Sequence, residues 1–341
     1  MKPNLSALLK TLWFAVLCVT GCSSPEVVNP PPLTPASART PTPLVVETPI
    51  LLPFTGKIAF INNSGTGDYS HVYIMNANGS ELTDVTPRNL RLIENLFWSP
   101  DGQHIAFDAL QDNTTQIFKM KTDGSSLMQL TFGEQHAYRP SWSPDGMYIM
   151  FQSSDGIIRD DSGFPVPQIY LMKSDGSEIH RFIVDTKPEN TSMSGSYRTD
   201  GLIAISEPVT KYAVANYVVN SEGVIQNQFP ELLLSSPIVW SPDGKFVVYS
   251  PDLRVVSDCS GFILMKFDRS DTLCLKIDEE VNNRNRGVDS PSWSPDGQHI
   301  IFSYNIDGYR DLYIIKDDDS GLTQLTNLPG GEWGAVWWSA P

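Results

Sequence analysis

The sequence has no excess of positive charge. Lys and Arg total 24 against 39 Asp and Glu, and the formal net charge at pH 7 is −15. A nucleic-acid-binding surface needs clustered basic residues that neutralise phosphates, so this composition argues against a nucleic-acid partner. It argues equally against a surface that lies on anionic lipid. The plainest role of so many acidic residues is solubility.

Motifs of the common catalytic centres are also missing. No Gly-x-Ser-x-Gly sequence occurs, which argues against a serine hydrolase of the α/β type. No two of the five His are spaced as an H-x-x-x-H zinc motif. We expect all five to be solvated or packing residues; they are His71, His104, His136, His180 and His299. The sequence therefore favours a non-catalytic protein and predicts neither a metal nor a cofactor.

The N-terminal apolar run is too short to cross a membrane. It extends from Thr11 to Thr20, about half the length that a bilayer span needs. The surrounding segment is basic and free of acid, so we interpret residues 1–21 as a signal peptide. The sequence Val19-Thr20-Gly21-Cys22 resembles the bacterial lipobox. This predicts lipidation of Cys22 and an exported, membrane-anchored lipoprotein, periplasmic or at the cell surface; an ordinary buried Cys is the alternative.

Proline dominates the segment that follows. Few aromatic and few charged residues interrupt it, so residues 22–55 are predicted to stay extended as a lipid-anchored tether. Its prolines are Pro25, Pro30, Pro31, Pro32, Pro35, Pro41, Pro43, Pro49 and Pro53. Contact with the membrane is expected through the lipid anchor only.

Cysteine is scarce, with four in the chain. Once Cys18 and Cys22 are assigned to the N-terminal segment, only Cys259 and Cys274 remain, and an exported compartment permits a bridge between them. A hairpin tip at Asp268 to Asp271 would place Cys274 opposite residue 265 rather than 259. The sequence leaves a disulfide and a buried free thiol both open.

One short sequence recurs along the rest of the chain. Trp-Ser-Pro-Asp-Gly begins at Trp98, Trp142, Trp240 and Trp293, and weaker copies lie at Tyr197 to Gly201 and at Trp338-Ser339. Pro, Asp and Gly suit successive positions of a tight turn, and an alternating apolar segment follows the full copies. Six units of about 40 to 50 residues, with four strands each, are typical of propeller blades.

The two ends of this region complement each other. Lys57 to Phe60 resembles the second strand of a unit and lacks a first strand, whereas Ala335 to Ser339 resembles a first strand alone. We therefore predict an all-β fold over residues 56–341: a six-bladed β-propeller of four-stranded antiparallel blades, whose C-terminal strand closes the ring by pairing with the N-terminal blade. Closure removes exposed sheet edges.

Residues that repeat in every unit are best explained by the fold. A set of tryptophans at one position could stack on a ligand, but we expect them to fill the space between sheets; they are Trp98, Trp142, Trp240, Trp293 and Trp338. The repeated acids are predicted turn residues: Asp101, Asp145, Asp243 and Asp296. The acidic runs Asp160-Asp161 and Asp317 to Asp319 could hold calcium, but they lack the spacing of a known calcium loop, so a solvated charge run is the favoured interpretation.

The repeat resembles that of the TolB-like β-propellers. The likeness rests on Pro140 to Gly146 with Ile169 to Gly176, and on Pro291 to Gly297 with Leu312 to Asp318. Similar repeats also occur in the propellers of prolyl-oligopeptidase-type peptidases and of sugar-acid lyases. The favoured function is therefore a cell-envelope lipoprotein that binds a protein, peptide or carbohydrate. The alternatives are an enzyme of the oligogalacturonate lyase type, which would need clustered His and a metal, or an accessory propeller of a peptidase system.

The predicted strands of each blade, A to D, divide the connections between two ends. The A-to-B and C-to-D turns share one end, here called the turn end, and are short and mostly closed by Gly. The D-to-A and B-to-C connections share the other, here called the loop end, and vary in length. They include Pro87 to Glu94, Phe132 to Tyr138, Ser153 to Val166, Asp278 to Asp289 and Asn327 to Gly334. Variable loops on a rigid scaffold usually carry function.

Residues at the start of strand A are expected to point into the channel mouth at the loop end. The candidate ligand-binding residues are Glu94, Asn95, Tyr138, Arg139, Asp289 and Ser290, with Glu332 and Trp333 nearby. Their mixture of aromatic and hydrogen-bonding groups suits a peptide or a carbohydrate. The alternative is that they only solvate the entrance. We expect the protein to be a monomer.

Overall fold

The computed structural model describes the repeat region of the chain. The described residues are 54–63, 69–154, 167–184, 194–210, 213–232, 238–251, 259–277, 287–306 and 309–340. The chain divides into two units, residues 1–42 and 43–341, and every described residue belongs to the second. The predicted signal peptide, the lipidation of Cys22, the tether before residue 54 and the run Asp160-Asp161 lie outside the described residues.

Within the described part of the chain, strands form six four-stranded antiparallel sheets. Blade 1 begins with β1 (Lys57–Asn63), β2 (His71–Asn76) and β3 (Thr83–Asp84). Blade 2 contains β4 (Arg91–Trp98), β5 (His104–Gln111), β6 (Thr114–Lys121) and β7 (Met128–Gln129). Blade 3 contains β8 (Ala137–Trp142), β9 (Tyr148–Ser153), β10 (Gln168–Lys173) and β11 (His180–Arg181).

The other three blades repeat this order. Blade 4 contains β12 (Ser194–Tyr197), β13 (Ile203–Thr210), β14 (Ala213–Val219) and β15 (Ile225–Leu232). Blade 5 contains β16 (Val239–Trp240), β17 (Phe246–Tyr249), β18 (Phe262–Lys266) and β19 (Thr272–Leu275). Blade 6 contains β20 (Val288–Trp293), β21 (His299–Ile306), β22 (Tyr309–Lys316) and β23 (Thr323–Gln324). The last strand, β24 (Gly331–Trp338), completes blade 1.

Ring closure is confirmed. Strand β24 pairs antiparallel with β1, from Lys57 opposite Trp338 to Asn63 opposite Gly331. The sheet order is therefore β24-β1-β2-β3, with the C-terminal strand in the position that strand A holds in every other blade. The six-bladed, all-β fold predicted from the repeat is the fold observed.

The repeated Ser-Pro-Asp-Gly sequence forms the predicted turn. In blade 2, Gly102 N donates to Ser99 O at 2.9 Å, and Asp101 Oδ1 accepts from the Ser99 hydroxyl at 2.6 Å and from Gln103 N at 3.0 Å. Gly102 has φ +65°, a conformation that side chains disfavour. The repeated acids therefore stabilise turns, as the sequence predicted.

Two of the repeated tryptophans form hydrogen bonds to the neighbouring blade. Trp98 Nε1 donates to Val336 O at 3.0 Å, and Trp293 Nε1 donates to Val239 O at 3.2 Å. The acceptor residues Val336 and Val239 directly precede Trp337 and Trp240, which belong to the preceding blades. These contacts join the first strands of adjacent sheets.

The position of the sixth tryptophan was predicted one residue too late. Trp337, not Trp338, lies opposite Ile58, as Trp98 lies opposite Ile105. Trp338 instead stacks on Trp98 with ring centroids 5.9 Å apart. Two adjacent tryptophans made the alignment ambiguous in the sequence, and strand pairing resolves it.

The two remaining cysteines form a disulfide. Cys259 and Cys274 are bonded, with their Cα atoms 5.6 Å apart. The register that argued against this bridge was wrong by two residues. Cys274 lies opposite Ile263, because the hairpin turn runs from Lys266 to Asp271 and is wider than expected. The loop before β18 therefore places Cys259 beside the outer strand.

Candidate functional site

The two ends of the ring are assembled as predicted. At the loop end, Thr115 N lies 3.2 Å from His136 Nδ1, so the B-to-C turn of blade 2 meets the D-to-A loop that leads to blade 3. At the turn end, Thr122 N donates to Gln103 O at 3.2 Å. In blade 2, the A-to-B and C-to-D turns therefore share one end, and the B-to-C and D-to-A connections share the other.

A β-bulge opens the first strand of several blades at the loop end. The pairing of strands A and B shifts between Glu94 and Phe97 in blade 2, and between Tyr138 and Ser141 in blade 3. The residue inside each shift has positive φ, +44° at Asn95 and +53° at Arg139. Positive φ is uncommon for such residues, and bulges redirect side chains near binding sites.

The bulges of blades 2 and 3 border one cleft. Its volume is about 430 Å³. Four of the predicted site residues line it: Glu94, Asn95, Tyr138 and Arg139. The other lining residues were not predicted: Asp108, Thr115, Gln152 and Pro167. We call this space, bounded by these eight residues, the blade 2–3 cleft.

Asp108 is the most deeply placed charged group of the cleft, with 1% of its surface exposed. Its carboxylate accepts hydrogen bonds from Asn95 Nδ2, at 3.2 and 3.0 Å, and from Arg139 N at 2.9 Å. Burial raises the pKa of Asp108 to about 6. The negative charge of Glu94 also raises this pKa, whereas the hydrogen bonds from Asn95 and Arg139 lower it. Among the described residues, no Lys, Arg or His forms an ion pair with Asp108.

Gln152 also lines the cleft, from the next blade, with 3% of its surface exposed. Its Nε2 has no hydrogen-bond partner within the described ranges. An unsatisfied buried donor costs about 1–3 kcal/mol, which a ligand acceptor would recover. Nearby, the Tyr138 hydroxyl is 3.4 Å from Ser154 Oγ.

Asp108 and Gln152 share one position in their blades. Each lies three residues after the isoleucine that pairs with the blade's tryptophan: Ile105 with Trp98, and Ile149 with Trp142. Alignment of the B strands alone would have shown a long polar side chain near the end of an otherwise apolar strand. That signal was present in the sequence and was missed.

The other four predicted residues lie elsewhere. Asp289 forms an ion pair with Arg310 at 2.9 Å and accepts from the Ser290 hydroxyl at 3.1 Å. Trp333 packs against the apolar core between blades 1 and 2. Glu332 was expected near the entrance, but it is fully buried.

Glu332 belongs to a buried carboxyl pair between blades 6 and 1. Its oxygens accept from Asn62 Nδ2 at 2.8 Å and from the Thr326 hydroxyl at 3.0 Å. Burial, together with the charge of Asp311, raises the pKa of Glu332 to about 8. Asp311 is also buried and accepts from Gln324 Nε2 at 2.9 Å. The pair therefore retains a proton near neutral pH.

The histidines are not brought together. His71 contacts Asp84 at 3.2 Å on blade 1, and His299 packs on Phe54 with ring centroids 4.7 Å apart. In the part of the chain that the structure describes, no group of three or more His, Cys, Asp and Glu is arranged to hold a metal. In the run Asp317 to Asp319, Asp318 Oδ1 accepts from Ser320 N and Asp319 Oδ1 accepts from Lys276 N.

The fold and the repeated turns define a six-bladed β-propeller. A family model described as the TolB beta propeller domain matches residues 40–163. The structure is also similar to TolB from Acinetobacter baumannii, with a TM-score of 0.66 and 19% identity over 83% of this chain and 67% of that one. This chain therefore has a six-bladed β-propeller fold similar to that of TolB.

Other similar proteins include a lyase, an uncharacterised protein and a peptidase. Oligogalacturonate lyase from Vibrio parahaemolyticus has a TM-score of 0.52 at 11% identity, over 78% of this chain and 89% of that one, which shows a shared fold alone. An uncharacterised protein of Agrobacterium fabrum is 28% identical over 57% of this chain and 59% of its own length. Dipeptidyl-peptidase 5 of Porphyromonas endodontalis is 32% identical over 32% of this chain and 16% of its own length. The match thus spans only part of these curated relatives.

No helix among the described residues has both the length and the apolar character that crossing a membrane requires.

Proposed function

We propose that this protein is a non-catalytic lipoprotein of the bacterial cell envelope, anchored through Cys22, whose propeller binds a protein, peptide or carbohydrate at the loop end. The binding site is the blade 2–3 cleft. The observation that carries the proposal is the unpartnered Gln152 Nε2, buried at the base of a cleft whose rim holds four residues selected independently from the sequence.

The rim of the cleft carries charged and aromatic side chains that a partner can contact. The guanidinium of Arg139 and the carboxylate of Glu94 form no hydrogen bond or ion pair with the described residues, and Arg139 is exposed. Tyr138 adds a half-buried aromatic ring beside them. Tyr and Arg are enriched among the residues that contribute most to binding. These groups are therefore available to a partner.

The base of the cleft is held in place by the scaffold. Asp108 and Gln152 are on central strands of two sheets, and Asp108 accepts from the backbone of the neighbouring blade. Groups fixed by strands lose little freedom on binding. All eight residues that line the cleft belong to one chain.

Crosslinking in the native envelope tests this function. The double variant Tyr138→Ala, Arg139→Ala should lose the captured partner, because truncation of such a pair typically costs more than about 1 kcal/mol. The matched control is Met147→Ala, Lys121→Ala, which also removes one large and one basic exposed side chain, but at the turn end. Unchanged capture by the first variant, or loss with the second, would show that the site is misplaced.

A further inference from the structure

The charges in the blade 2–3 cleft indicate which chemical group it accepts. Glu94 at the rim and Asp108 at the base contribute two carboxylates, and Arg139 contributes the one guanidinium. We propose that the cleft binds the free amino terminus of a peptide, with the ammonium group at Glu94 and Asp108 and the first carbonyl accepting from Gln152. This inference rests on the proposed binding function and specifies its ligand.

Asp108 supplies the main argument. A buried carboxylate is costly unless a cation or several donors compensate it. Its present partners are an amide side chain, Asn95, and a backbone N–H, that of Arg139, both neutral groups. No cationic side chain of the described residues pairs with it, and Glu94 adds further negative charge. A ligand cation would therefore be stabilised here by both carboxylates.

Gln152 narrows the choice of cation. Its Nε2 is a donor and requires an acceptor. The ammonium of a lysine side chain has donors only, so it would leave Gln152 unsatisfied. An N-terminal residue carries an ammonium and, three bonds away, a carbonyl oxygen. It therefore matches a cleft that is lined both by carboxylates and by an amide donor.

A neutral sugar fits less well. Its hydroxyl groups both donate and accept, so they could satisfy Gln152, but they bring no positive charge to Glu94 and Asp108. Charge-assisted hydrogen bonds are roughly twice as strong as neutral ones. Capture of a terminal amine is also an established mode of peptide recognition. The ring of Tyr138 and Pro167 offer apolar surface to the first side chain.

Fluorescence polarisation with defined pools tests the inference on the full-length chain in detergent. The first pool contains dye-labelled, C-terminally amidated pentapeptides that are randomised at their first two positions. The second contains the same peptides with acetylated amino termini, and the third is a pool of neutral oligosaccharides with the same dye. We expect the free-amine pool to bind about tenfold to a hundredfold more tightly than the acetylated pool, the ratio that a charge-assisted hydrogen bond provides.

Two charge variants assign the preference to the cleft. Glu94→Gln should reduce the ratio between the free and acetylated pools severalfold, because it removes one carboxylate without changing shape. Glu134→Gln is the matched control: it removes an exposed carboxylate from the nearby D-to-A loop and should leave the ratio unchanged. Asp108→Asn keeps an acceptor for Arg139 N and should reduce the ratio further.

The remaining outcomes separate this inference from the proposed function. Equal binding of both peptide pools, lost with Tyr138→Ala, Arg139→Ala, would overturn amine recognition and retain a peptide site. Binding of the oligosaccharide pool alone would overturn it and retain a carbohydrate site. Binding of none of the pools would also overturn the inference, while the crosslinking experiment decides the proposed function independently.

Discussion

Replacing Glu332 by Gln should stabilise the protein at alkaline pH and leave its stability in acid nearly unchanged. Glu332 is fully buried in the strand that closes the ring and lies against the carboxyl of Asp311. Because its pKa is raised to about 8, the folded state keeps a proton that the unfolded chain releases above a pH of about 4.3. Stability therefore falls as the pH rises between these two values.

The magnitude follows from the shift. Each pKa unit corresponds to about 1.36 kcal/mol, so a shift from about 4.3 to about 8 costs the folded state up to about 5 kcal/mol above pH 8. A glutamine carries no such cost. It has nearly the same shape, its oxygen can accept from Asn62, and its amide can donate to Asp311. The variant should therefore be more stable than the wild type by about 2–5 kcal/mol at pH 8.

Urea unfolding of both proteins at pH 5, 6, 7 and 8 measures this effect. The difference between the two curves isolates Glu332, since the many turn aspartates with lowered pKa are common to both proteins. Glu134→Gln, which changes an exposed acid, should show no difference that depends on pH. A stability difference that stays constant from pH 5 to 8, or a variant less stable than the wild type at pH 8, would refute the reasoning.

Three further changes probe the ring, the tether and the turns. Deleting residues 335–341 removes the end of β24 and should lower Tm by about 10 °C or more, whereas deleting only 340–341 should not; equal curves would count against closure. Cys22→Ser should abolish palmitate labelling, and continued labelling would exclude the lipid anchor. Gly102→Ala should cost about 2–4 kcal/mol, because the new Cβ would lie 2.2 Å from Trp338. Gly201→Ala, where nothing lies within 4 Å, should cost only the backbone strain of about 1 kcal/mol; similar losses at both sites would disprove the contact.

The fold was predictable because its information is local and repeated. Each Trp-Ser-Pro-Asp-Gly copy specifies a turn through its own residues, and the unmatched strands at Lys57 and Ala335 specify how the ring closes. The register in which neighbouring strands pair was harder to predict from the sequence. The position of Trp337 depends on which of two adjacent tryptophans faces Ile58, and the disulfide depends on the width of the turn after Lys266.

Only part of the candidate site could be predicted from the repeat in the same way. Counting back from each tryptophan found Glu94, Asn95, Tyr138 and Arg139, because the repeat fixes where strand A begins. It did not find Asp108 and Gln152, which lie on the neighbouring strand. Nor did it show that Glu332 turns into the blade interface, since one bulge reverses the direction in which successive side chains point.

In a propeller of nearly identical units, a ligand can prefer one blade interface over the others only where the residues of the repeat differ. The position that shows this lies three residues after the strand B residue that pairs with each blade's aromatic anchor, which is Tyr197 in blade 4 and a tryptophan in the others. In the six blades it is occupied by Ile61, Asp108, Gln152, Ser206, Ser250 and Ser303. Three blades place a short serine there and one an isoleucine, so only blades 2 and 3 present long polar side chains, and they do so on adjacent sheets. At this position of the scaffold, the side chains distinguish the cleft from the other blade interfaces. Exchanging Asp108 and Gln152 for serine should therefore remove ligand recognition while the ring itself stays closed.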